Sequence, residues 1–173
     1  HAFLGKYCRP GPKHAFGFRG RMDERYDMVR SVWDGRYVYL KHYMPHRIYG
    51  QYIEYMFQTP TTRVWKQLYD EGKLESPRTC FWETKPAEEL YDLSSDPDCL
   101  KNLASDAAFR DRMAALREKL LAELKRQEDP RVLGRGDIFD RYPSAKDKDP
   151  LSGPRTPAQV RRDRKQAAVA HPE

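Results

Sequence analysis

The dipeptide Asp34-Gly35 separates two runs rich in Tyr, Val and Trp, MDERYDMVRSVW before it and RYVYLKHY after it. Asp-Gly suits a type I′ turn, because both central residues there take positive φ, and strand-forming flanks make it a strong hairpin signal. Folding the chain at this dipeptide sets Trp33 opposite Arg36, Val32 opposite Tyr37, Val29 opposite Leu40 and Met28 opposite Lys41. One face then carries Val29, Trp33, Val38 and Leu40. The other carries Tyr26, Met28, Val32, Tyr37, Tyr39 and Tyr43. Both faces are apolar or aromatic, so the hairpin needs cover on each side. Pro45 ends the second strand, since it cannot donate to a ladder.

The rest of the chain supplies candidate covers. His14–Phe18 can add a short strand. Between Ile48 and Lys73 the period becomes helical: Ile48, Tyr52, Tyr55 and Met56 recur at helix spacing. Thr59-Pro60 then offers an N-cap with Pro in the first turn, and Gly72 offers a C-cap. Val64, Leu68 and Tyr69, with Trp65 beside them, form the apolar side of that segment, and its aromatics are expected to pack rather than to hold a cofactor. Glu88–Leu93 suits a strand, with Asp96-Pro97-Asp98 turning after it. The clearest helix spans Asp106 to Gln127, with Phe109, Met113, Leu116, Leu120 and Leu124 on one stripe and Leu121 widening it. Ser105 is its expected N-cap, and Asp106 suits the positive end of its dipole. The helix is expected on one hairpin face. The tyrosine-rich face is expected to turn toward a domain outside this chain or toward the Tyr52–Leu74 insert. Residues 143–173 have no usable period and are expected to form a disordered basic tail.

Several function classes are disfavoured by composition. The net charge is +6 and no nucleic-acid-binding module accompanies it, so nucleic acid is not the expected partner. No apolar run approaches the roughly 20 residues of a membrane span. Cys8, Cys80 and Cys99 lack C-x-x-C spacing, which argues against zinc and favours free thiols. No phosphate loop, H-E-x-x-H or G-x-S-x-G string occurs, and the histidines are not clustered at metal-ligand spacing. His42 suits packing or a rim position better than ligation. Thirteen prolines and a charged fraction of 34% indicate a modest core.

Binding chemistry is concentrated in two polar strings. Arg21, Asp23, Glu24 and Arg25 mix acids and bases just before the hairpin, and such a loop can hydrogen-bond sugar hydroxyls or pair with anions. The same acids can equally pair with Arg21, Arg25 or Arg30. His46-Arg47, after the hairpin, can bind an anion, because the Arg fork matches sulfate or carboxylate. It can also be a plain loop charge. On residues alone the chain is an α+β module without a self-contained catalytic site.

The string EELYDLSSDPDCLKNLASD, from Glu88, resembles the E-L-Y-D-L-x-x-D-P-x-E-x-x-N-L-A segment near the C-terminus of type I, formylglycine-dependent sulfatases. Glu89 to Leu93, Asp96-Pro97 and Asn102-Leu103-Ala104 match it, and Cys99 stands where Glu is usual. RMDERYDMVRSVWDGRYVYLKHYMPHRIYGQ resembles the strand pair of that family, with His42 in place of the usual Asn. T-P-T-T-R-x-W-x-x-L-Y, from Thr59, and Asp129-Pro130-Arg131-Val132-Leu133-Gly134 with Gly136-Asp137 are similar to the branch of heparan N-sulfatase-like bacterial enzymes.

The resemblance, over about residues 1–142, implies a small antiparallel sheet with a packed helix. This would be the C-terminal α+β subdomain of an alkaline-phosphatase-like α/β sulfatase. It implies hydrolysis of sulfate esters or N-sulfates of sulfated sugars or aryl sulfates, with calcium and formylglycine in an N-terminal catalytic domain outside this chain. No cofactor and no metal site are then expected in this part, which alone should be inactive. Cys8-Arg9-Pro10-Gly11-Pro12 is not the formylglycine motif, since Pro12 stands where Arg is required. Arg21, Asp23, Glu24, His46 and Arg47 become candidates for the outer substrate pocket, and a periplasmic or secreted location is implied. The alternative is a non-catalytic module that binds sulfated glycans or other polyanions, or a truncated product without activity.

Overall fold

The structure, a computed structural model, describes residues 11–22 and 25–141. Four strands, β1 (Ala15–Arg19), β2 (Val29–Trp33), β3 (Tyr37–His42) and β4 (Glu88–Asp92), form one antiparallel sheet in the order β1-β2-β3-β4. Two short helices, α1 (Glu54–Gln58) and α2 (Pro60–Asp70), lie between β3 and β4 in sequence, and α3 (Arg110–Arg126) follows β4.

The central hairpin forms, but in a different register. Trp33 pairs with Val38 and Val32 with Tyr39. The Asp34 amide donates to the Tyr37 carbonyl at 3.1 Å. The Asp34 carboxylate accepts from the Arg36 and Tyr37 amides at 3.0 and 2.7 Å. That side-chain turn makes Asp34 the last paired residue and moves the two-residue loop onto Gly35-Arg36. Gly35, at φ +104°, is the first central residue, where a type II′ loop places glycine. The slip is two residues, so every side chain keeps its predicted face. Gly35→Ala forces an L residue into the left-handed region and should lower stability by roughly 1–2 kcal/mol. Urea unfolding checks this, and an unchanged midpoint would refute it.

The cover helix lies on the opposite side of the sheet from the one expected. Val32, Tyr37, Tyr39 and Leu90 join Leu103, Met113, Leu116, Leu120 and Leu124 in one core cluster, so α3 covers the tyrosine-rich face. Strand β4 explains this. Its register sets Leu90 beside Tyr39, and Glu89 and Tyr91 beside Leu40 and Val38. The apolar side chain of β4 therefore extends the tyrosine face, while Glu89 makes the other face polar. A single 3-10 turn, Ala107–Phe109, leads into α3, and Asp106 rather than Ser105 caps that turn, its side chain accepting from the Ala108 amide at 2.9 Å, while α3 itself starts after Phe109 with no side-chain cap. Leu121 is 39% exposed and does not widen the buried stripe.

Tyr39 is fully buried and its hydroxyl donates to Glu88, which Arg117 of α3 grips with Nε and Nη2, each at 2.8 Å. Burial opposes ionisation of Glu88, but the Arg117 fork and the Tyr39 hydroxyl outweigh it and hold the carboxyl below its ordinary value near 4.5. A carboxylate with a depressed folded pKa stabilises above its unfolded pKa, and that contribution is lost as pH falls through the folded value. Arg117→Gln should therefore lower the melting temperature at neutral pH and leave it nearly unchanged well below pH 4.5. A deficit of equal size at every pH would refute this.

Helices α1 and α2 form a second packing centre. Gly72 ends α2 at φ +65° as expected, with the Lys73 amide donating to the Leu68 carbonyl. Val64 is exposed, and the packed side is instead Trp65 and Tyr69. Trp65 stacks on Phe81 with centroids 4.8 Å apart, and Trp82 meets both rings edge-on. Gly50 lies beneath these rings: a Cβ there would come within 2.6 Å of Trp82, and its amide donates to the Phe81 carbonyl at 2.7 Å. The insert is thereby pinned to the loop that leaves β3.

Candidate functional site

Edge strand β1 extends the sheet beyond the cover of α3, and this leaves a notch. A pocket of about 250 Å³ is lined there by Phe18, Gly20, Arg21, Tyr26, Met28, Arg30 and Phe139. Phe18 pairs with Arg30 across the ladder, so both side chains lie on the helix-covered side of the sheet. Arg30 is nearly buried. Its Nε donates to Asp129 at 2.6 Å and its Nη1 to the Val29 carbonyl at 2.9 Å, which fixes β2 to the turn after α3. Arg21, by contrast, is exposed, with its guanidinium 4.9 Å from the centre of the Tyr26 ring.

Of the candidates from sequence, Arg21 alone lies on this pocket wall. Asp23 and Glu24 fall outside the described residues. Their neighbours Met22 and Arg25 exchange two backbone hydrogen bonds of 2.9 Å. His46 and Arg47 are exposed in a separate turn closed by the Arg47 amide on the Met44 carbonyl, and neither lines the pocket.

The other face of the sheet carries a polar network that sequence reasoning missed. Asp27 and Lys85 pair through Asp27 Oδ2 and Lys85 Nζ with both side chains fully buried. The Met28 amide donates to the second Asp27 oxygen at 2.9 Å, and Arg19 Nε stands 3.9 Å from the pair. Lys85 Nζ lies 5.1 Å from the centre of the Tyr49 ring. The Tyr49 hydroxyl donates to Glu89 at 2.7 Å and lies 3.3 Å from His42 Nε2, which is itself 3.2 Å from Glu89. Burial pushes the Tyr49 phenol far above its ordinary range, and the bond to Glu89 pushes the same way. Burial also pushes the Lys85 ammonium down, while Asp27 pulls it back up. His42 is 2% exposed and is a packed histidine. Asp27, Lys85, His42 and Glu89 are buried, and the network joins β3, β4 and the loops around Tyr49 and Lys85.

The string after Glu88 has structural work of its own. Asp92 accepts from Arg36 Nη2 at 2.6 Å and from the Ser94 amide and hydroxyl at 3.1 and 2.6 Å. Those bonds hold its carboxyl well below the usual carboxylate range. Asp96 accepts from the amides of Leu100 and Lys101 at 3.0 and 2.8 Å. Asn102 accepts from the Leu90 amide at 3.0 Å and donates to the Glu88 carbonyl at 3.3 Å, while the Leu103 amide donates to the Leu90 carbonyl. The motif thus closes a turn and occupies the Leu90 amide and carbonyl and the Glu88 carbonyl on the outer edge of β4.

Cys80 and Cys99 are free thiols, and Cys8 lies outside the described residues. Among the described residues, no group of three or more His, Cys, Asp or Glu side chains is arranged to hold a metal ion. No helix among them is long and apolar enough to cross a membrane.

No protein-family profile matches the chain. Among curated proteins it is similar to an ulvan-active sulfatase of Formosa agariphila, with 37% identity over 120 residues, or 69% of this chain. That stretch is 20% of the relative's length, so the chain spans about a fifth of the protein it matches. The match supports a sulfatase relationship, and the four-stranded sheet with its helices fits a small α+β domain.

Proposed function

We propose that this chain is the C-terminal α+β subdomain of a formylglycine-dependent sulfatase of the alkaline-phosphatase-like class. The intact protein would hydrolyse sulfate esters or N-sulfates of a sulfated sugar. The observation that carries the reading is the 37% identity to an ulvan-active sulfatase across most of this chain. The structural jobs of Asp92, Asp96 and Asn102 support it, because the matching motif has a physical reason to keep its spacing.

In this reading the nucleophile and the calcium ligands belong to polypeptide outside this chain, and the chain by itself releases no sulfate. Its own contribution is a rigid sheet whose exposed polar groups, Arg21 first and His46 and Arg47 with it, border the substrate cleft. Export to the periplasm or medium goes with that role.

The test is sulfate release from ulvan, and from other sulfated polysaccharides, by the longer polypeptide that contains this chain. Arg21→Ala in that polypeptide should raise KM or cut kcat/KM by about tenfold, the loss of one charge-assisted anion contact. Absence of sulfate release from every sulfated substrate would overturn the reading. Wild-type kinetics in the Arg21 variant would remove Arg21 from the cleft.

A further inference from the structure

We propose that Arg19, Arg25 and Gln51, beside the buried Asp27–Lys85 pair, form a docking socket for one carboxylate side chain. That side chain belongs to the part of the longer polypeptide that lies outside this chain. This rests on the reading of the chain as one part of a longer sulfatase.

The charges around Asp27 do not balance. Arg19, Arg25 and Lys85 stand around this single carboxylate. Lys85 takes one of its oxygens and the Met28 amide takes the other at 2.9 Å. Arg19 Nε is left at 3.9 Å, beyond hydrogen-bond reach. Glu89, another acid on this side of the sheet, is engaged by Tyr49 and His42. Arg25 turns to the Met56 sulfur at 3.7 Å, a weak acceptor. Gln51 is 8% exposed, and its side-chain oxygen accepts from the Tyr26 amide at 3.2 Å, which fixes its amide group against the 25–27 segment. Arg19 Nη2, Arg25 Nε and Gln51 Nε2 are then buried donor atoms with no acceptor among the described residues. Buried donors are ordinarily satisfied. Burial, and after it the Arg19 charge, lower the pKa of the Arg25 guanidinium from its ordinary value, and Tyr55 and Asp27 offset this only in part.

One carboxylate answers this set, because it accepts from several N–H donors at once and offsets one surplus charge. The surroundings point to a polypeptide as its source. Met22 is 50% exposed and exchanges backbone hydrogen bonds with Arg25, and Tyr55, beside Met56 in α1, is 57% exposed. A covering segment would bury this apolar surface and satisfy the donors together. The matched stretch is 20% of the sulfatase relative, so a protein built like it has ample polypeptide to supply the acid.

The test is carbodiimide cross-linking of the longer polypeptide carrying Arg25→Lys, read by mass spectrometry of the joined peptides. The reagent activates a carboxyl group, and an amine in contact with it at position 25 forms an amide. A link from position 25 to an Asp or Glu outside this chain is expected. Arg25→Gln should lower the melting temperature of the longer polypeptide by about 2 °C or more. In this chain alone the same substitution should leave the melting temperature unchanged or raise it, since it removes a half-buried charge that no carboxylate there takes up.

No link, or a link only to Asp23, Glu24 or Asp27, would overturn the proposal. So would equal effects of Arg25→Gln on this chain and on the longer polypeptide, the pattern of donors that water satisfies. Sulfate release is read separately. A link to an outside acid without sulfate release from any substrate sinks the sulfatase reading and leaves the socket. Sulfate release with neither link nor difference in melting behaviour sinks the socket alone.

Discussion

Lys85→Met should destabilise the fold by about 3–5 kcal/mol, the loss expected when one member of a buried ion pair is removed. Lys85 and Asp27 have no exposed side-chain surface, so water cannot take the place of the missing ammonium. Asp27 would keep the Met28 amide as a donor, and Arg19 is close at 3.9 Å, but neither replaces a direct buried cation. Most of the loss is the cost of the stranded carboxylate, not the worth of the pair. The double variant Asp27→Leu with Lys85→Met should therefore recover at least half of the stability lost in the single variant. Urea unfolding of both single variants and the double variant measures this. Additive losses, or a Lys85→Met loss below about 1 kcal/mol, would show that the site is wetter or looser than its geometry indicates.

The second large effect falls in α3, where two adjacent leucines should behave differently. Leu120 is 3% exposed within the core cluster, and Leu121 is 39% exposed. Leu120→Ala should cost about 2–5 kcal/mol through lost burial and a residual cavity beneath the tyrosine face. Leu121→Ala should stay within about 1 kcal/mol, because alanine's better helix propensity offsets part of the small area lost. Denaturant midpoints of the two variants decide the matter. Equal losses would mean that α3 is rotated about its axis relative to the sheet.

How much of this was legible in the sequence depended on whether the signal was local. Gly35 and Gly72 announced a turn and a helix end because positive φ is a property of single residues. The α3 stripe was legible because a 3.6 period repeats over several turns, from Met113 to Leu124. Hairpin register was not, because the Asp34 side chain competes with the backbone for the turn and shifts the loop by one position along the chain. The covered face was not legible from the hairpin either. Both of its faces are apolar, and the choice was made by Leu90 and Glu89, some fifty residues downstream. The Asp27–Lys85 pair joins positions 58 residues apart, each in an unremarkable loop string, so no spacing could announce it. Of the candidate binding residues, Arg21 was singled out by its charge, and the fold places it on a pocket wall. The aromatic walls that give it a pocket come from β1 and from the turn that contains Phe139, and only the fold brings these together.

Asn102 and Leu103 give the sheet a direction. Their bonds to Glu88 and Leu90 occupy the outer row of β4, whereas β1 has a ladder partner on one side among the described residues. Among the described residues, the edge left for a further strand, from another chain or from elsewhere in the same polypeptide, is therefore that of β1. Growth of this sheet, whether into a larger assembly or into an aggregate, would start from that end. That end carries Phe16 and Phe18.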